Sequence, residues 1–251
     1  MSVLFSHFKN GGRVQIDKAL FATRPRVLNL APHPDDFDVA GVTFRRMHDA
    51  GCDIHLAVLT SGAAGVQDTY CTPPDWETKS VTREQEQRNS CRWFGLGESQ
   101  FEFLRMEEAE DGELLEDDRA RTTFKQLVEQ FGPDIVVIPH GLDSNGGHRR
   151  TYRLVMDVLA EYAKPVLVFC CLDPKTLEIT PNAFCGFDED EAAWKRDLLL
   201  FHDSQQARNL QSRGSGFTDR ILGMNAAVAE AHNVGAPFAE AFEVKRMNEH
   251  E

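Results

Sequence analysis

Short unbroken apolar runs recur along the chain and alternate with stretches of helical periodicity. VLNLA (27–31) is followed by VAGVTFRRMHDAG, whose apolar spacing predicts a helix that stops at Gly51. IHLAVLT (54–60) reads as the next strand, and a Gly- and Pro-rich stretch over 62–80 as a loop. A helix is predicted over 83–94, with Thr82 and Gln85 at capping-box spacing and Gly95 beyond its end. FEFL (101–104) is a short strand, and the acidic stretch 107–118 a surface loop. A helix over 120–131 then leads through GPD into IVVIP (135–139), the clearest buried strand in the chain. A helix over 149–162, the strand VLVFCCL (166–172) and helices near 189–203 and 218–231 complete the pattern.

Strands that are apolar throughout, rather than alternating, are buried on both faces. Their alternation with helices predicts an α/β, Rossmann-like fold: a mainly parallel sheet with helices on both faces. No repeat, low-complexity run or linker divides residues 1–251, so a single domain is expected. In such sheets ligands bind at the carboxyl ends of the strands. APHPDD follows the first of these strands and HGLDSNGGH follows IVVIP, so both polar motifs fall on that edge.

Composition narrows the classes. No apolar run approaches the ~18 residues of a membrane helix. The first residues, MSVLFSHFKNGGRVQ, lack the basic-then-apolar order of a signal peptide, so a cytoplasmic protein is expected. The formal net charge of −13 repels phosphate backbones and argues against a nucleic-acid partner. The same charge is also what a well-solvated surface needs. None of the six cysteines forms a CxxC pair, and adjacent Cys170 and Cys171 point to opposite faces of a strand, so they read as buried thiols. Homo-oligomerisation is left open.

The chemistry lies in RVLNLAPHPDDFDVAG (26–41). His33 offers a ring nitrogen and Asp35 and Asp36 offer oxygens, all in the loop where strand turns to helix. Pro34 restricts its own backbone and that of His33. Two neighbouring side chains diverge, so one aspartate faces a metal and the other the substrate. Catalytic zinc sites commonly take three protein donors plus water, so a third must come from another strand end. His148, just after Gly146 and Gly147 at a helix start, is the natural donor. The competing reading is a helix cap at Asp36 or Asp38.

The stretch NLAPHPDDFDVAGVTFRRMHDAGCDIHLAVLTSGAAG closely resembles the opening of the PIG-L/LmbE-like N-deacetylases. REQEQRNSCRWFGLG, FEFLRMEEAEDGEL, GPDIVVIPH, WKRDLLLFHDSQ and GAPFAEAFEV resemble later segments in order, from about residue 26 to 244. The resemblance implies a zinc hydrolase, or one using another divalent transition metal, that removes an acetyl group from an N-acetylglucosamine-like amide. It implies His33, Asp36 and His148 as metal ligands and Asp35 as general base. Arg83, at the start of its helix, would bind a substrate hydroxyl or phosphate.

One departure stands out. Many members read HPDH, where this chain has Asn145-Gly146-Gly147-His148. Asn145 can donate to an oxyanion but cannot transfer a proton, which leaves His140 at the end of the same strand as the nearest proton donor. Asp111 in the DGEL turn is a further candidate for a sugar contact, although Asp-Gly is first a turn signal. His202 reads as structural, and His7, His48, His55, His232 and His250 have no partner motif. Phe44, Phe94 and Phe124 read as core.

Two other classes compete. A Mg²⁺ phosphohydrolase would use Asp35, Asp36 and Asp38, but it wants mostly oxygen donors, whereas two imidazoles favour zinc. A non-catalytic nucleotide-binding module would want a glycine cradle, and the first turn has no GxGxxG.

Overall fold

The computed structural model describes residues 2–9 and 11–248; His250 lies outside them. Among the described residues, eight strands form one sheet: β1 (Val14–Gln15), β2 (Arg26–Ala31), β3 (Asp53–Val58), β4 (Phe101–Phe103), β5 (Ile135–Pro139), β6 (Val166–Cys171), β7 (Ala183–Phe187) and β8 (Phe238–Met247). Their order is β1-β7-β8-β6-β5-β2-β3-β4. Only β8 runs antiparallel, to both β6 and β7, so the sheet is mainly parallel as expected. The helices are α1 (Ser2–Ser6), α2 (Asp36–Val39), α3 (Gly41–Asp49), α4 (Trp76–Phe94), α5 (Asp118–Phe131), α6 (Gly146–Ala160), α7 (Glu189–Leu199), α8 (Asp203–Arg213) and α9 (Phe217–Ala231).

The two faces of the sheet are separate cores. Val27, Ile54, Ile135 and Phe169 pack on one side with Phe44, Phe94, Leu198 and Ile221. Leu28, Leu30, Val136 and Val168 pack on the other with Phe124 of α5 and Val155 of α6. Alternate residues of each strand thus enter different layers, which is why these segments are almost wholly apolar; Asn29 in β2 donates to the Val137 carbonyl. Cys171 falls in the first core and Cys170 in the second. Among the described residues, no helix is long and apolar enough to cross a membrane.

Several boundaries differ from the pattern-based expectation. α4 starts at Trp76, because Asp75 accepts the Thr78 N–H at 2.8 Å; Thr82 donates its hydroxyl to the Thr78 carbonyl and caps nothing. The helix expected over 189–203 ends at Leu199, and α8 follows it as a separate helix. β1, β7, β8 and α1 had no signal of their own.

The helix expected after the HPDD turn is broken at Ala40 into α2 and α3. The cause is tertiary. Lys195 Nζ donates to the Val39 carbonyl at 2.6 Å and to Glu240 at 2.6 Å, while the Glu240 carboxylate accepts the Val42 and Thr43 N–H groups. Asn225 accepts a third bond from Lys195. Both charges are fully buried, so each exists only because the other is there. Glu240→Gln is expected to destabilise the protein by about 3–5 kcal/mol, the usual cost of stranding one buried charge; urea unfolding measures it.

Candidate metal centre

β2 delivers the HPDD turn to the carboxyl edge between β5 and β3. The connection after β2 runs towards β3 and the one after β5 towards β6, in opposite directions, which opens a crevice between β2 and β5. Asp35 adopts φ 112°, a left-handed conformation that side chains other than glycine seldom take but Asp and Asn tolerate best. Gln87 of α4 stabilises it by accepting the Asp35 N–H at 2.8 Å. The consequence is that consecutive carboxylates diverge. Asp36 turns back on the loop, accepting the His33 N–H at 2.8 Å, while Asp35 faces Arg83 at 3.1 Å.

His148 arrives from the first turn of α6. Asp36 Oδ2 lies 3.2 Å from His33 Nδ1, and Asp36 Oδ1 lies 3.4 Å from His148 Nε2. The two rings are 5.4 Å apart, and the donor atoms of His33, Asp36 and His148 all fall within 4.8 Å of one another. Two nitrogens and one oxygen in that space suit a borderline divalent transition metal.

Both histidines are oriented from behind by carboxylates. His33 Nε2 sits 2.6 Å from Glu113, and His148 Nδ1 sits 3.0 Å from Asp143. Carboxylate-backed imidazoles are the usual outer arrangement at metal sites, because the bond fixes the tautomer and turns the other nitrogen inward. Burial and the nearby Lys175 ammonium oppose a charge on His148, yet Asp36 and Asp143 outweigh them and lift its pKa to about 10. His33 is also raised, with Asp36 and Glu113 overcoming its burial. Asp36, despite burial, is held well below the carboxylate range by His148 and His33. The carboxylates around the two rings therefore favour positive charge at this cluster. The three donors and their carboxylate backing fit a divalent metal.

Glu113 reaches His33 across the start of α6, where a Cβ at Gly147 would collide with its carboxylate. Glu113→Ala is expected to weaken metal binding by about 10–100-fold without removing a ligand. Competition with a chromophoric chelator measures that loss.

The other expected site residues divide. Asn145 lines the pocket, but as the N-cap of α6: its Oδ1 accepts the His148 N–H at 2.9 Å and its amide donates to Glu113 at 2.7 Å. It holds His148 and Glu113 in place. His140 does not line that pocket. Its Nε2 lies 3.3 Å from Glu243 on β8 and its Nδ1 accepts the Leu142 N–H, so it is no proton donor to the crevice. The antiparallel neighbour of β6, unseen in the pattern, brings Glu243 there. Arg83 lines the pocket but is buried; it donates to the Pro34 carbonyl and lies 3.3 Å from Glu86, so it braces the HPDD turn. Asp111 pairs with Arg150 at 2.6 Å, leaving Glu113 as the acid of the DGEL turn that reaches the centre. Asp38 is buried against His202, Gln87 and Ser90, so both Asp38 and His202 are structural.

Glu113, Asp143, Gln87 and Lys175 escaped the sequence reading. Lys175 Nζ stands 3.3 Å from His148 Nε2, from the loop after β6. Its only signal was a cation just past a strand end, beside Asp173.

A crevice of about 350 Å³ joins these groups, with His33, Asp35 and Glu113 on its wall. A Rossmann-like sheet carrying two histidines and an aspartate at its switch point defines the class of protein: an α/β enzyme with a candidate metal centre. The family follows from the sequence. The PIG-L family, described as GlcNAc-PI de-N-acetylase, matches residues 28–159, just over half of the chain, and the protein belongs to it as a deacetylase of the PIG-L/LmbE type. Solved structures agree on the fold. N,N'-diacetylchitobiose deacetylase from Pyrococcus horikoshii is similar with TM-score 0.75 and 20% identity, covering 90% of this chain and 85% of its own. The A40926 pseudoaglycone deacetylase Dbv21 gives TM-score 0.68 and 15% identity, over 90% of this chain and 100% of its own. GalB, the 4-carboxy-2-hydroxymuconate hydratase from Pseudomonas putida KT2440, gives TM-score 0.66 and 16% identity, over 90% of this chain and 99% of its own. No curated protein sequence matches the chain.

Proposed function

We propose that the protein is a zinc-dependent N-deacetylase that hydrolyses the acetamido group of an N-acetylglucosamine-like unit in a small glycoside or glycoconjugate. The observation that carries this reading is the convergence of His33, Asp36 and His148 beside an aspartate that is left out of the donor set. A divalent metal held by those three residues supplies Lewis-acid polarisation of the amide carbonyl and makes water acidic enough to attack near neutral pH.

The chain's own groups do the rest. Asp35, fixed by its strained backbone and by Arg83, takes the proton of the attacking water at its carboxylate. As the C–N bond breaks, the same carboxyl passes that proton to the departing nitrogen, giving acetate and a free amine. The Lys175 ammonium, beside the donor cluster, offsets negative charge that develops on the carbonyl oxygen. That task would fall to Lys175 because Asn145 is occupied as a helix cap and His140 faces Glu243.

The magnesium phosphohydrolase alternative has lost its third carboxylate: Asp38 is buried with His202, and the remaining donor set is two parts nitrogen. The test is release of acetate and amine from N-acetylated sugars by protein loaded in turn with zinc and other divalent metals, alongside metal analysis of the protein as purified. Turnover with a transition metal supports the proposal. Phosphate release that depends on magnesium alone would replace it.

A further inference from the structure

The crevice has a second electrostatic pole that the hydrolytic chemistry does not use. Besides Lys175 and the buried Arg83, its wall carries Arg208 and Arg213 from α8 and Arg220 from α9. In a chain of net charge −13, a basic wall is unexpected.

The acids on this wall are already engaged. Asp111 pairs with Arg150, Glu113 with His33 and Asn145, and Asp35 with Arg83. Arg208 and Arg213, by contrast, make no ion pair among the described residues, and both are exposed to the crevice side. Arg208 lies against Gly65, where a Cβ would approach its Nη1 to 3.2 Å. Arg220 donates to Asn209 at 2.6 Å, a neutral partner that leaves its charge uncompensated. Burial lowers the pKa of Arg220, and the like charges of Arg213 and Arg208 push it the same way, against Asp173. Three guanidiniums are thus gathered at a cost in mutual repulsion, and guanidiniums are the groups that bind phosphate or carboxylate in two-pronged fashion.

We propose that Arg208, Arg213 and Arg220 form an anion subsite, so that the preferred substrate is an N-acetyl amino sugar bearing a phosphate or carboxylate group close to the sugar ring. This inference rests on the deacetylase reading for the reaction, but not for the binding of the anion.

The test compares N-acetylglucosamine 1-phosphate and the carboxymethyl glycoside of N-acetylglucosamine with its uncharged methyl glycoside, using the full-length, metal-loaded protein. At least one charged probe is expected to show kcat/KM roughly tenfold or more above the methyl glycoside, since one charge-assisted pair is worth about that factor. Which charged probe leads distinguishes phosphate from carboxylate. Raising the ionic strength should erode the preference through KM. The combined variant Arg208→Ala/Arg213→Ala is expected to bring the ratio to within about twofold, again mainly through KM, whereas Lys125→Ala on exposed α5 leaves it intact. Arg208→Lys/Arg213→Lys, which keeps the charge, should restore part of the preference. That result separates a lost anion contact from a disturbed pocket.

Calorimetric titration of N-acetylglucosamine 1-phosphate provides a readout independent of turnover. Equal kcat/KM for charged and uncharged probes, or a preference that survives the double alanine variant, overturns the subsite and leaves the deacetylase reading standing. Binding that is lost in the double variant, without deacetylation of any probe, upholds the subsite and overturns the N-acetylglucosamine-like substrate proposed above.

Discussion

Asp35→Asn is expected to lower kcat about 10³-fold while metal content stays at the wild-type level. The substitution is nearly isosteric. Asparagine tolerates the left-handed backbone at φ 112°, and the N–H that Gln87 accepts is unchanged. Arg83 keeps its bonds to the Pro34 carbonyl and to Glu86, which is itself held by the Ser204 N–H and hydroxyl. The turn should therefore survive with His33 and Asp36 in place. What disappears is a group able to accept the proton of water and return it to nitrogen. Acetate release under saturating substrate, with elemental analysis of the same sample, measures both quantities. A kcat within tenfold of wild type would remove Asp35 from the role of base.

The second large effect is expected at His148. His148→Ala removes one of the two nitrogen donors and leaves Asp36 and His33 alone, so metal affinity should fall by more than ~100-fold, beyond what loss of an outer-sphere partner produces. Turnover should vanish at stoichiometric metal and return only in part with excess. Equilibrium dialysis of wild type and variant checks it. Full occupancy of the variant under conditions that just saturate wild type would show that the donors lie elsewhere. Asp143 would lose its imidazole partner, although it still accepts the Asn145 N–H at 2.7 Å, so the α6 cap should hold.

Much of this architecture is legible in the sequence alone. VLNLA and IVVIP announce themselves as doubly buried strands because parallel strands covered on both faces carry few polar positions; the one exception, Asn29, donates to the Val137 carbonyl of β5. His33, Asp36 and His148 were legible for a related reason: polar residues immediately past such strands end up on one edge of the sheet. The less legible part is instructive. Asp111 and Glu113 are two residues apart in one turn, and nothing local tells which of them meets His33; Arg150 on α6 takes the first and frees the second. His140 looked available because it follows a strand, yet β8 returns antiparallel and brings Glu243 to it. β8 carries no clean period because Glu240 is buried in its midst beside Lys195.

What the amino-acid order determined by itself was local and periodic: the buried strands, the strand–turn–helix carrying His-Pro-Asp-Asp, and the edge on which His148 would emerge. Tertiary structure alone decided the distant partners, namely Glu113 behind His33, Lys175 beside His148 and three arginines on the far helices. Hydrophobic periodicity is set by neighbours along the chain and can be read there. Charges separated by tens of residues meet only once the layers pack, and their pairing is chosen by which of them lose water together.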